Sequence, residues 1–143
     1  MKQLFSVLFI SLVFFSCKKK TEAPQPPAQT KENIAGLYKL TALTLSTSGS
    51  AETSVIDSYL TTCQKDDLQQ LKTDFTFNYI DAGILCSPAG DKTGTWSLPA
   101  AGKITINGQA FDIVSFTGTV LVASTVQLVL GTPSTIKSTL TKQ

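Results

Sequence analysis

Lys103-Ile104-Thr105-Ile106-Asn107-Gly108-Gln109-Ala110-Phe111-Asp112-Ile113-Val114 is the stretch that decides the fold. Two runs with apolar residues at every second place are joined by Asn-Gly, the pair best able to take the two left-handed conformations of a type I′ turn. The stretch therefore reads as an antiparallel hairpin. The same period of two extends outward in both directions. Gly94 to Leu98 forms a strand before the turn at Pro99 to Gly102. In Asp74-Phe75-Thr76-Phe77-Asn78-Tyr79 the alternation predicts that Phe75, Phe77 and Tyr79 share one face. Asp81-Ala82-Gly83 turns, and Ile84 to Cys86 is expected to begin another strand. Gly36 to Leu45 opens the series, and a loop rich in Ser, Thr and Gly follows from Ser46 to about Val55. Cys63 to Leu71 is the one stretch expected to make a short helical turn. Val120 to Leu130 and Thr135 to Leu140 close the series, with Gly131-Thr132-Pro133 as the turn between them.

About eight short strands with tight connections leave no crossover long enough for parallel pairing. The expected fold is all-β, an antiparallel up-and-down barrel whose closure removes exposed edges. A membrane-spanning barrel would need strands of about 9–11 residues with an apolar outer face. The strands here read as shorter, with Thr, Ser, Asn, Lys and Asp at the other parity. Phe75, Phe77, Tyr79, Trp96, Leu98, Ile104, Ile106, Phe111 and Ile113 fall at inward-compatible places. A barrel of this strand number can be filled by its own side chains or hold one small ligand. Both readings stand at this level. On the second, Phe75, Phe77, Tyr79, Trp96, Ile104 and Phe111 are the candidate ligand-binding residues, with Tyr79 or Tyr38 orienting the ligand.

The chain begins differently. Met1-Lys2-Gln3 is followed by an apolar run from Leu4 to Phe15, the layout of a secretory signal and too short to span a bilayer. Val13-Phe14-Phe15-Ser16-Cys17 resembles a relaxed bacterial lipobox. The expectation is a signal peptide over 1–16, with Cys17 acylated as the mature N-terminus; a plain secretory signal is the rival. Multiple acyl chains make membrane attachment stable. Position two after the cysteine is lysine rather than aspartate, which points to the outer membrane of a bacterial envelope. Residues 17–33 read as an acylated, proline-bearing tether, with Pro24, Pro26 and Pro27 favouring extended chain. Residues 34–143 are the barrel domain.

Within 34–143, seven lysines stand against eight acids, a net charge of −1, and the chain has no arginine. No basic face argues for nucleic acid. Histidine is absent too, which excludes Ser-His and Cys-His nucleophile pairs. Cys63 and Cys86 are expected to form a disulfide, as paired cysteines of exported proteins do. Redox catalysis would want C-x-x-C spacing, and a zinc site would want more ligands. Asp66-Asp67 is the one adjacent acid pair. Capping of a short helical turn is its expected use, with calcium binding or acid–base chemistry as rivals. No catalytic residue, metal site or cofactor is expected, and the protein reads as a non-enzyme.

Gly36-Leu37-Tyr38, Cys63-Gln64-Lys65-Asp66-Asp67, Phe75 to Tyr79, Cys86 and Gly94-Thr95-Trp96-Ser97-Leu98 follow one another in an order that resembles the small lipocalin-like lipoproteins of Gram-negative envelopes. Tyr38 departs from the tryptophan commoner at that place. The resemblance implies a lipocalin-like barrel with a ligand cavity and names no ligand. The resulting expectation is a monomeric, lipid-anchored protein that binds a small hydrophobic or amphipathic molecule. The alternative is a filled barrel that contacts an envelope protein or polymer through its loops, Ser46 to Val55 and Ser87 to Thr93 first among them.

Overall fold

The computed structural model describes residues 25–143. Cys17, the 1–16 signal and the first part of the tether lie outside the described residues. In chain order the elements begin with α1 (Lys31–Ile34), β1 (Gly36–Thr47), β2 (Thr53–Ser54), α2 (Ile56–Tyr59) and a 3-10 turn at Thr62–Gln64. Then come β3 (Leu68–Leu71), β4 (Thr76–Ile80), β5 (Lys92–Ser97), β6 (Lys103–Ile106), β7 (Gln109–Phe116), β8 (Val120–Val129) and β9 (Thr132–Lys142). Every pairing is antiparallel. β1 pairs with β3, each strand from β3 to β9 pairs with the next, and β9 returns to β1, so eight strands close a ring. The two-residue β2 merely flanks the far end of β1.

The Asn107-Gly108 step turns as its chemistry requires. Both residues have positive φ, 49° and 80°, and the strands pair from Ile106 with Gln109 to Lys103 with Asp112. A second two-residue turn, at Leu130-Gly131, has φ of 50° and 80°. The turn expected at Gly131-Thr132-Pro133 is thus displaced, and Pro133 sits inside β9 opposite Leu128. A proline lacks the N–H that a strand paired on both sides must donate. β1 reaches only as far as Thr47 opposite Ser134, so Pro133 lies where β9 is already an edge.

Two bulges let so small a ring close. Thr41 is the extra residue between Leu40 and Ala42 of β1, and Val114 the extra residue between Ile113 and Ser115 of β7. A bulge bends its strand and shifts side-chain parity by one. Inward positions accordingly run Tyr38, Leu40, then Leu43, and Phe111, Ile113, then Phe116.

Three further expectations fail for identifiable reasons. Leu68 to Leu71 is a strand, because β1 and β4 flank it and satisfy its backbone; only Thr62–Gln64 keeps the helical turn. Ile84 to Cys86 is loop, shaped by Gly83 (φ 60°) and by side-chain hydrogen bonds described below. The end of the tether is folded: Thr30 caps α1 by accepting from the Asn33 N–H, and Ile34 is fully buried among the core residues. Burial of the isoleucine and the cap both favour this one-turn helix.

Candidate ligand-binding site

The barrel has a closed end, an interior and a mouth, and the six candidate residues divide among them. At the closed end Trp96 is buried and donates its indole N–H to the Lys72 carbonyl at 2.8 Å. Phe75 is not on the Phe77 face of β4. It has φ of 66° in the turn before that strand, is 38 % exposed, and lies tilted on Trp96 with ring centroids 5.3 Å apart. Turn geometry overrides the alternation that would have turned it inward. Tyr38 is also buried here, and its hydroxyl donates to the Ile34 carbonyl at 2.5 Å. Lys142 donates to the Asn33 carbonyl and stands over the Tyr38 and Phe116 rings, where burial lowers its pKa. Trp96, Phe75 and Tyr38 therefore form a floor under α1, and Tyr38 has no hydroxyl hydrogen left to orient a ligand.

Above this floor lies a cavity of about 160 Å³. Ile104, Ile106 and Phe111 line one side; Leu40, Leu121 and Leu140 contribute further apolar surface. Gln69 and Ser138 supply its polar side chains. The interior is thus neither solid nor a wide vessel. Ile104 and Phe111 are where the sequence placed them. Gln69, Ser138 and Ala123 escaped it because their inward direction depends on which strands they pair with.

The mouth opens into a cleft of about 720 Å³. Phe77 and Tyr79 of β4 form one side, and the loop from Cys86 to Gly90 forms another. Cys63 and Cys86 are joined by a disulfide with Cα atoms 5.3 Å apart, which ties the 3-10 turn to that loop. Asp81 fixes the loop from within, accepting from the Cys86 N–H at 3.0 Å and the Gly90 N–H at 2.8 Å. Asp67 accepts from the Tyr79 hydroxyl at 2.7 Å and the Ala82 N–H at 3.1 Å, and Asp66 accepts from the Ile84 N–H at 2.7 Å. The Asp66-Asp67 pair therefore does not cap a helix. Its carboxylates hold a loop fifteen or more residues away, contacts no local motif reveals. Tyr79, with its proton committed to Asp67, cannot orient a ligand as a free donor. Burial, together with the hydrogen bond to Asp67 and the charges of Asp67 and Asp81, pushes its pKa well above that of an ordinary phenol.

Oxygens of Asp67 and Asp81 come within 4.8 Å of the Cys86 sulfur. A metal would find this set already engaged: the sulfur is in the disulfide, and the carboxylates accept from the loop.

The strands form an eight-stranded up-and-down ring with a floored end and a mouth, and a family model described as a lipocalin-like domain matches residues 34–123. The chain belongs to the lipocalin-like domain family. The matched range covers α1's buried Ile34 through the middle of β8; β9, which closes this lipocalin-like barrel onto β1, lies beyond it. No curated protein and no solved structure matches the chain.

Proposed function

We propose that this lipocalin-like protein binds a small apolar or amphipathic molecule within its barrel and works at a bacterial envelope membrane, held there by acylated Cys17. The observation that carries the ligand reading is the apolar cavity beneath an open mouth. A barrel needing only stability would gain from filling that space, since empty volume forfeits packing. Binding would draw on apolar burial, at about 25 cal/mol per Å². The anchor rests on the lipobox-like Ser16-Cys17 junction and the polar tether that follows.

Mass spectrometry of protein purified from its own membrane tests both parts. A denatured mass for a chain that starts at Cys17 with added acyl groups is expected, and a native mass that retains a small molecule. An unlipidated chain would remove the membrane from the account. A bare native protein would move the weight to a second reading.

That second reading, a module contacting an envelope protein through its surface, has one observation in its favour. Val126, Leu128 and Leu130 stand exposed on the outer side of the β8–β9 hairpin, and no charged residue occurs between Asp112 and Lys137. The loops Ser46 to Val55 and Ser87 to Thr93 are more polar than this hairpin. A Leu128→Lys, Leu130→Lys double variant that loses a cross-linked envelope partner, with ligand binding intact, would favour it.

A further inference from the structure

We infer that the barrel cavity takes a compact, uncharged molecule, a single ring of phenol size with one hydrogen-bonding group; this deepens the ligand reading above and rests on it. Size comes first. At about 160 Å³ the cavity matches the roughly 150 Å³ apolar voids that admit benzene. It falls well short of the roughly 300–1,000 Å³ of pockets that enclose drug-sized molecules. An acyl chain of ten carbons could not be enclosed in that volume.

Charge comes next. None of the side chains that line the cavity is ionisable. A carboxylate or ammonium entering it would lose its water with no opposite charge to replace it, a penalty that outweighs any apolar gain at this size. Gln69 on β3 and Ser138 on β9 belong to the two strands that flank β1. Ile104 and Ile106 on β6 stand on the far side of the ring from β1, with Phe111 on β7 beside them. One wall offers an amide and a hydroxyl; the opposite wall is wholly apolar. A ring with a hydroxyl or carbonyl on one edge satisfies both walls at once.

The test uses 4-fluorophenol and decanoate as probes of the purified full chain, the phenol read by fluorine NMR and decanoate by its displacement of the phenol and by isothermal titration calorimetry. Saturable binding of 4-fluorophenol is expected, unaffected by excess decanoate. Ala123→Leu puts a four-carbon side chain where a methyl stands and should weaken the phenol at least about tenfold, the scale of a misfit in an apolar pocket. Ser138→Ala should weaken 4-fluorophenol more than fluorobenzene. If decanoate displaces the phenol, or itself binds and is excluded by Ala123→Leu, the barrel still binds a ligand but the compact, neutral class is wrong. If neither probe binds, or binding survives Ala123→Leu unchanged, the cavity is not a ligand site and the proposed function falls with it. The comparison of the two probes on the unaltered chain stands even if Ala123→Leu fails to fold.

Discussion

Trp96 stands at the floor of the barrel, between the Lys72 carbonyl and the Phe75 ring, and does not line the cavity. Its replacement by alanine should therefore act on the fold. The expected cost is about 3–5 kcal/mol, as for other buried aromatic truncations, read as a lower urea midpoint. Full stability with lost ligand binding would place Trp96 in the site instead. The buried phenols add a pH dependence with a definite sign. Burial raises the pKa of Tyr38, and burial with Asp67 raises that of Tyr79. Each folded state holds its proton more tightly than the unfolded chain. That stabilisation is complete below the unfolded tyrosine pKa of about 10 and is lost as pH rises beyond it. Urea unfolding from about pH 8 to pH 11 should show stability falling above pH 10, with a shallower fall for Tyr79→Phe. Equal slopes in the two proteins would mean that Tyr79 titrates freely.

Among the elements, the ladder and the mouth loop divide the work. The disulfide lies outside the strand pairings and joins the 3-10 turn to the loop after β4. Closing that stretch of chain is worth about 3 kcal/mol on the chain-entropy model. A Cys63→Ser, Cys86→Ser double variant should lose about that much in urea, yet keep its β-sheet circular dichroism and a buried Trp96. Loss of the sheet signal itself would show that the loop nucleates the barrel. The short elements also show how far local pattern reaches. β6 and β7 were legible, because Asn107-Gly108 specifies the turn, and the turn specifies the register. Leu68 to Leu71 was not, because Leu-Gln-Gln-Leu suits a helix as well as a strand and only its neighbours on both sides decide.

For the whole molecule the defining event is closure. β1 pairs with β9 along nearly its full length, Tyr38 lying opposite Lys142 at the far end of the chain. Such distant contacts must overcome loop-closure entropy before they add stability, so folding should be slow, in the millisecond to second range of small barrels. Stopped-flow refolding followed through Trp96 fluorescence checks this. A microsecond phase carrying the whole amplitude would mean that the floor assembles without the ring.

By itself the sequence determined the all-β class, the up-and-down order, the cysteine pair and the apolar character of the interior. These depend on period, turn chemistry and composition, which are local. The tertiary structure decided what each inward residue is for. Phe75, Trp96 and Tyr38 became floor, Phe77 and Tyr79 mouth, and Ile104 and Phe111 cavity wall. The bulges at Thr41 and Val114 shifted parity midway along their strands, and Asp66 and Asp67 reached across the chain to hold the mouth loop. Gln69 and Ser138 acquired a shared wall only when β3 and β9 met the two edges of β1. Which side of a strand faces inward, and at what height, is settled by pairings between residues far apart in the chain, where no local signal reaches.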